Sequence, residues 1–421
     1  TQKPESDDFD FVVFGASGFT GKYVVQEILK ECKTEGVTMA VAGRNRNKLA
    51  KVVSSTVNED NKNEKSIEVI IADVNDYQSL LLMCQRAKVI LNCVGPYRFF
   101  GEAVVKACVE AKTNYVDISG EPQFLENMQL KYDESAKRAG ILIVGACGFD
   151  SIPSDLGAVY MKQQFQGTLN SIKAYLSLNS GASGLGIHFA TYESAVYGLS
   201  DVNSLSKVRK AFDHKPLPLV GPRMKREGFV HYKAYMGSYC IPFLGADPSV
   251  VKRSQRYFSE ELDETPVQYS MYSCIGSLWN IFLMVIFGGI FKFLAQRQWG
   301  RSLLLQHPKF FTLGMCSHEG PSKQQLKETS FSITMFGEGY PVGEFNSCEK
   351  PKKQITVKVS GPEPGYVATP LVIVQAALCI IQEKQNLPTR GGVFPPAAAF
   401  AKTTLISRLQ ERGVTFKVLT K

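Results

Sequence analysis

Eleven residues near the start of the chain, FVVFGASGFTG (Phe11–Gly21), constrain the fold more than any other stretch. Four bulky apolar residues run straight into three glycines spaced three apart, and the helical pattern GKYVVQEILKEC follows. A core strand that gives way to bare backbone and then to a helix is the first half of a strand–helix–strand unit. The pattern repeats. Apolar runs at Phe11–Gly15, Thr38–Ala42, Ile67–Ala72, Val89–Val94, Tyr115–Ile118 and Ile141–Gly145 alternate with amphipathic stretches such as PQFLENMQLKYDESAKRAG. This alternation predicts an α/β fold whose parallel sheet is covered on both faces. Right-handed crossovers then bring every strand-to-helix loop to one sheet edge.

On that edge the glycines take distinct duties. Gly15 makes the tight turn, Gly18 lets the backbone approach a pyrophosphate, and Gly21 lets the helix close on the strand. The helix N-terminus attracts anions, with Ser17, Phe19 and Thr20 in the same loop. A Rossmann-type doubly wound sheet that binds a dinucleotide is therefore expected over residues 1–150. The second strand ends in AVAGRNRNKL, without the acid that NAD-binding sheets place on the ribose hydroxyls. Arg44, supported by Arg46 or Lys48, suits a 2′-phosphate, whereas an acid about 5 Å away would cost roughly 3 kcal/mol. NADP is the expected cofactor and NAD the alternative. Arg46 is more simply read as solvating a helix start. Asp73 either contacts adenine or serves as a turn or N-cap residue. In NCVGPY (Asn92–Tyr97), Val94, Gly95 and Pro96 would pass beside the nicotinamide; Tyr97 either offers a hydroxyl there or only packs.

The set GASGFTG, AGR, NCVGPY, YVDISGE and GACGFDSIPSDLG resembles the saccharopine dehydrogenase-like oxidoreductases, and GGVFPPAAAF near the C-terminus extends the resemblance over nearly the whole chain. GFDSIPSD is its most specific element. The resemblance implies a Rossmann domain, then an α/β (α+β) domain whose sheet helps close the active site, and a final segment that returns to the first domain. The expected boundaries are 1–150, 151–365 and 366–421. The resemblance does not imply saccharopine chemistry: the paired carboxylate sites and the lysine and histidine acid–base groups that this reaction needs cannot be matched here. Some bacterial relatives in the superfamily resemble trans-acting enoyl reductases of long-chain lipids, which makes a lipid-like substrate plausible.

Enoyl or carbonyl reduction needs a proton donor near the nicotinamide. Tyr97 is the first candidate, followed by Cys147 and Asp150 in the loop after the sixth strand; Glu121 and His188 rank below them. Each has a plain reading. Cys147 is then buried, Asp150 holds a turn, Ser154 caps a helix beginning near Asp155, Glu121 is a solvated first-turn residue, and His188 lies on a helix surface. No HExxH or HxxxH spacing occurs, so no metal is expected.

The second half carries an unusual run. From Thr265 through Phe291 there is no charge, and CIGSLWNIFLMVIFGGIF (274–291) reaches about 27 Å as a helix, near the hydrocarbon thickness of a bilayer. Lys292, Arg297 and Arg301 follow, with Trp299 suited to an interface. Three readings stand: one-sided insertion into a membrane or lipid-droplet monolayer, a buried helix pair turned at Gly288-Gly289 or an oligomer interface, and a bilayer span. Around it, Thr168–Leu178 predicts a strand, Gly184–Leu199 a helix, and Lys207–Arg226 a basic surface excursion. KETSFSITMFGEG and KKQITVKVSG read as strands and PLVIVQAALCIIQEKQ as a helix.

At 421 residues the chain exceeds one hydrophobic core. With 44% hydrophobic and 21% charged residues it is not a disordered chain. The net charge of +9 suits a phosphorylated cofactor or an acidic membrane surface; nucleic acid is not favoured, since no aromatic-basic module or zinc spacing occurs. Ten scattered cysteines, Cys93 and Cys108 among them reading as small buried hydrophobes, fit a reducing compartment. The polar opening TQKPESDDFD shows no targeting segment. The reading that unites these features is an NADP-dependent oxidoreductase for an apolar or lipid-derived substrate, intracellular, membrane- or lipid-droplet-associated and homo-oligomeric, with a mitochondrial location as the alternative. A nucleotide-binding scaffold without turnover, and saccharopine or lysine metabolism, are the competing functions.

Overall fold

The computed structural model describes residues 8–56, 67–200, 202–345 and 349–420; the opening residues 1–7 and Cys348 lie outside them. The chain divides into two units. The first comprises Thr1–Phe149, Gly365–Phe394 and Lys402–Leu409, and the second Asp150–Pro364, Pro395–Ala401 and Gln410–Lys421.

In the first unit the strands are β1 (Phe9–Phe14), β2 (Met39–Gly43), β3 (Glu68–Ile71), β4 (Ala87–Asn92), β5 (Asn114–Asp117) and β6 (Leu142–Val144), each within two residues of its expected bounds. Between them run helices α1 (Phe19–Glu35), α2 (Arg46–Thr56), α3 (Tyr77–Gln85), α4 (Tyr97–Ala111) and α5 (Pro122–Ala139). The sheet order is β6-β5-β4-β1-β2-β3, with the late strand Gly392–Phe394 added beside β6. Every pairing is parallel, for example Val12 opposite both Ala40 and Ile90. This is the doubly wound arrangement, with its order reversing between β1 and β4. Phe11, Val12, Val13, Ile90 and Leu91 are fully buried, as strands covered on both faces require. One covering helix comes from the far end of the chain: Thr369–Gln382 packs on α1, β4 and β5.

The second unit is built on a seven-stranded mixed sheet around β7 (Gly167–Asn179). One neighbour of β7, Gln268–Gly276, is parallel to it; the other, Ser330–Pro341, is antiparallel. Helix α6 (Ile152–Gln164) packs on this sheet through Gly157, where an added Cβ would stand 2.6 Å from Met335 Cε.

Several expectations need correction. The segment 366–421 does not return as one piece, because Thr415–Thr420 pairs with Lys353–Pro362 in the second sheet. Helix α7 (Phe189–Ser200) starts at Phe189, not Gly184: Gly184 holds φ +69°, and Gly186 lies against Pro321 and Gln325. The basic stretch from Lys207 opens inside a helix, Val202–Ala211, before it becomes irregular. The apolar run begins as the end of strand Gln268–Gly276, and its helix is Leu278–Ala295, capped by the Ser277 hydroxyl. Gly288 and Gly289 stay helical, so no hairpin forms. This helix is largely exposed within its own chain, with Trp279, Phe282, Val285, Phe287, Ile290 and Phe293 all open. Its ends are held by the unit that carries it. Leu294 and Ala295 pack with Tyr192, Val196 and Leu304, while the preceding strand pairs with β7.

Candidate functional site

The glycine-rich turn has the geometry that its spacing predicts. Gly15 sits at φ +85°, and a Cβ there would meet Val94 Cγ2 at 2.7 Å. A Cβ on Gly21 would stand 2.2 Å from the Gly15 carbonyl oxygen, so only glycine lets α1 approach the turn this closely. Gly18 is the N-cap, and no side chain caps this helix. Its first turn carries no acid. The free positive end of a seventeen-residue helix, over a turn stripped of side chains, suits a diphosphate. Ser17 and Thr20 are partly exposed beside it, and the Phe19 ring packs edge-on against Tyr366 at 4.8 Å.

At the end of β2, Arg44 and Lys48 are exposed, and neither forms an ion pair among the described residues. Asn45 accepts the Lys48 amide at 3.0 Å and so starts α2, while Arg46 is that helix's first residue, consistent with its plainer reading. Asp73 accepts from the Asn75 amide at 2.9 Å. That is a turn role, and the N-cap of α3 is Asp76 instead. The residues present thus fit a phosphorylated dinucleotide: a glycine cradle for the diphosphate and unpaired cations at the second strand end.

The ends of β4, β5 and β6 are tied together by a buried chain that sequence reasoning did not single out. Asn92 Oδ1 accepts the Val94 amide at 3.0 Å, and its Nδ2 donates to the Tyr115 hydroxyl at 3.1 Å. Tyr115 in turn donates to Asp117 Oδ2 at 2.9 Å. Asp117 Oδ1 accepts the Ser119 and Ala146 amides, both at 2.9 Å. Ala146 stands at φ +60°, a conformation costly for a residue with a Cβ. Desolvation raises the Asp117 pKa to about 6. The signal lay in the quoted motifs NCVGPY and YVDISGE, which supply all three side chains.

The candidate proton donors separate clearly. Tyr97 is buried and donates its hydroxyl to the Asn92 carbonyl at 2.8 Å; burial and the nearby Asp117 charge push its pKa well above the ordinary range. That proton is already committed. Cys147 is buried, as its plainer reading has it, donates to the Val144 carbonyl at 3.3 Å and is likewise raised by desolvation. Asp150 keeps solvent contact, yet the surrounding protein desolvates its carboxyl and raises its pKa. Glu121 is buried rather than solvated. It accepts the Tyr97 amide at 2.9 Å and the Arg98 Nε at 2.8 Å, capping α4 across 24 residues. His188 precedes α7 and accepts the Ala190 amide, so it is not on a helix surface. Ser154 and Asp155 lie inside α6 rather than at its cap. Ser154 donates to Asp247, and Asp155 accepts from Ser254 at 2.7 Å and from the Ala397 amide at 2.8 Å.

Residues 11–144 match the family model described as the saccharopine dehydrogenase NADP binding domain. A human saccharopine dehydrogenase-like oxidoreductase is 45% identical over 99% of this chain and 98% of its own length. A Caenorhabditis elegans lipid droplet localized protein is 36% identical over 97% and 98%. A Mycobacterium tuberculosis protein, named as a candidate trans-acting enoyl reductase, is 26% identical over 97% of each chain. Among solved structures, apo saccharopine dehydrogenase (L-Glu forming) from Saccharomyces cerevisiae superposes with a TM-score of 0.55 at 13% identity, covering 98% of this chain and all of that one. At that identity the likeness is one of fold.

Proposed function

The chain belongs to the saccharopine dehydrogenase-like oxidoreductases, and on that premise we propose that it is an NADP-dependent reductase of an apolar, lipid-derived enoyl or keto substrate, working at a membrane or lipid-droplet surface. One observation carries the reading: a side-chain-free diphosphate cradle in one unit and a bare apolar helix in the other belong to the same chain. The bound cofactor supplies the hydride. Gly15, Gly18 and Gly21 admit its diphosphate, Arg44 with Lys48 meets the 2′-phosphate, and Val94, Gly95 and Pro96 border its nicotinamide end. Of the three candidate proton donors, Asp150 alone combines solvent contact with a raised pKa, the combination that general acid work requires. Tyr97 and Cys147 are buried within the first unit.

The lipid surface is argued from the helix Leu278–Ala295. A helix that is apolar all round belongs in a core or in lipid, and this one lies outside the core of its own chain. Both of its ends are anchored in one unit, which does not suit a bilayer span and favours entry into one leaflet or a droplet monolayer. The names of the nematode and mycobacterial relatives point the same way.

The test is single-turnover oxidation of NADPH by the purified protein with enoyl- or keto-lipids in vesicles. Oxidation that is lost in Asp150→Asn supports the reductase. Tight NADPH binding without hydride exchange against any such lipid would favour the scaffold reading. Deleting Ser277–Phe291 should abolish flotation with lipid; unchanged flotation would remove the surface from the proposal.

A further inference from the structure

The buried Asp117 carboxylate has no use in the proposal so far. It is 1% exposed, and the groups that reach it are all neutral donors: the Tyr115 hydroxyl and the Ser119 and Ala146 amides. No cation pairs with it among the described residues. The neighbouring Arg98 pairs with Glu121, its Nε 2.8 Å from that carboxylate. The other titratable groups facing Asp117 are Glu121 from the start of α5, Tyr97 from α4, Cys93 from the end of β4, Tyr115 on its own strand, and Cys147 from the loop after β6. None of them supplies a positive charge.

A lone ionised group in a desolvated place is costly unless something offsets it. Its position suggests what does. Through Tyr115 and Asn92, Asp117 is hydrogen-bonded to the Val94 amide, and Val94 packs against the Gly15 turn. In a doubly wound sheet this edge, beside the switch between β1 and β4, is where a dinucleotide lies. Its oxidised form carries a positive nicotinamide ring and its reduced form does not. We propose that Asp117 is a positioning and tuning residue whose fixed negative charge favours the oxidised over the reduced cofactor while its hydrogen bonds hold the β4 and β6 loops in place. This rests on the NADP-binding reading above.

Calorimetry gives the test as the ratio of the Kd values for NADP⁺ and NADPH at pH 8. In Asp117→Asn the NADP⁺ Kd should rise relative to the NADPH Kd by about tenfold, the size of one charge acting across a partly desolvated site. Tyr115→Phe, which removes two hydrogen bonds but no charge, should shift the ratio by less than about twofold. A ratio unchanged in Asp117→Asn overturns the proposal, because lost loop positioning alone would weaken both forms together. Should that variant fail to fold, the wild-type ratio followed from pH 8 to pH 5 decides. It should climb as the carboxyl protonates, and a flat profile overturns the idea; the 2′-phosphate titrates in both forms and cancels. Failure of the wild type to bind either form would instead sink the NADP-binding reading itself.

Discussion

Two helices of this chain, Leu278–Ala295 and Pro364–Gln382, are alike in length and apolarity, with mean hydropathies of 1.9 and 1.8, yet they meet opposite fates. The second is 78% buried and lies among α1, β4 and β5. The first is 17% buried. Apolar length therefore says that a helix must leave water without saying what receives it. The buried helix shows its destination in two polar details. Gln375 donates to the buried Glu31 of α1 at 2.8 Å, and Thr369 Oγ1 accepts the Phe149 amide at 3.0 Å in the loop after β6. The exposed helix is free of charge from Leu278 through Phe291, and such a surface is an expected interaction site.

One charge placed in each helix gives the largest contrast. Val374→Asp puts an unpaired carboxylate where the wild-type side chain is fully buried, and should lower unfolding free energy by about 4 kcal/mol or more. Val285→Asp, on an exposed position, should stay within about 0.5 kcal/mol in the same urea titration while weakening flotation with lipid. Equal destabilisation would mean that the exposed helix is covered, as by a second copy of the chain.

A smaller effect comes from buried acids of the second unit. Desolvation raises Asp155 to about 6, above its unfolded value near 4, so the folded state holds its proton more tightly. Its contribution is fully present below about pH 4 and is lost as pH rises through 6. Asp155→Asn should flatten the fall in thermal midpoint across that window, and an unaltered slope would show that other groups set it. The smallest change sharpens the comparison at the exposed helix itself. A Cβ on Gly288 meets nothing within 4 Å, so Gly288→Ala should gain about 1 kcal/mol through helix propensity alone and keep its flotation. Loss of stability there would reveal close packing against a partner.

What could be read beforehand follows the range of the interactions. The strand ends of the first unit and the glycine turn rest on local pattern, since Gly15, Gly18 and Gly21 constrain one another within seven residues. Glu121 could not be placed, because the amides that it caps lie 24 residues away. The Asn92–Tyr115–Asp117 chain was hidden for the same reason: three strand ends assemble it, although each side chain lies in a motif visible on its own. Tyr97 shows the limit from the other side. Its motif placed the residue at the correct strand end, but the carbonyl that takes its hydroxyl proton is fixed by the turn. In the second unit the pairing of Thr415–Thr420 with Lys353–Pro362 spans more than fifty residues and leaves no local trace.

Cofactor choice offers the most direct test of the central claim that the bare glycine turn and Arg44 together hold a phosphorylated dinucleotide. Calorimetric titration of the wild type and Arg44→Asp with NADPH and NADH should show NADPH affinity falling about a hundredfold in the variant, from roughly 3 kcal/mol of lost attraction and new repulsion, with NADH nearly unchanged. Equal affinities for the two before and after the substitution, or no binding of either by the wild type, would contradict it.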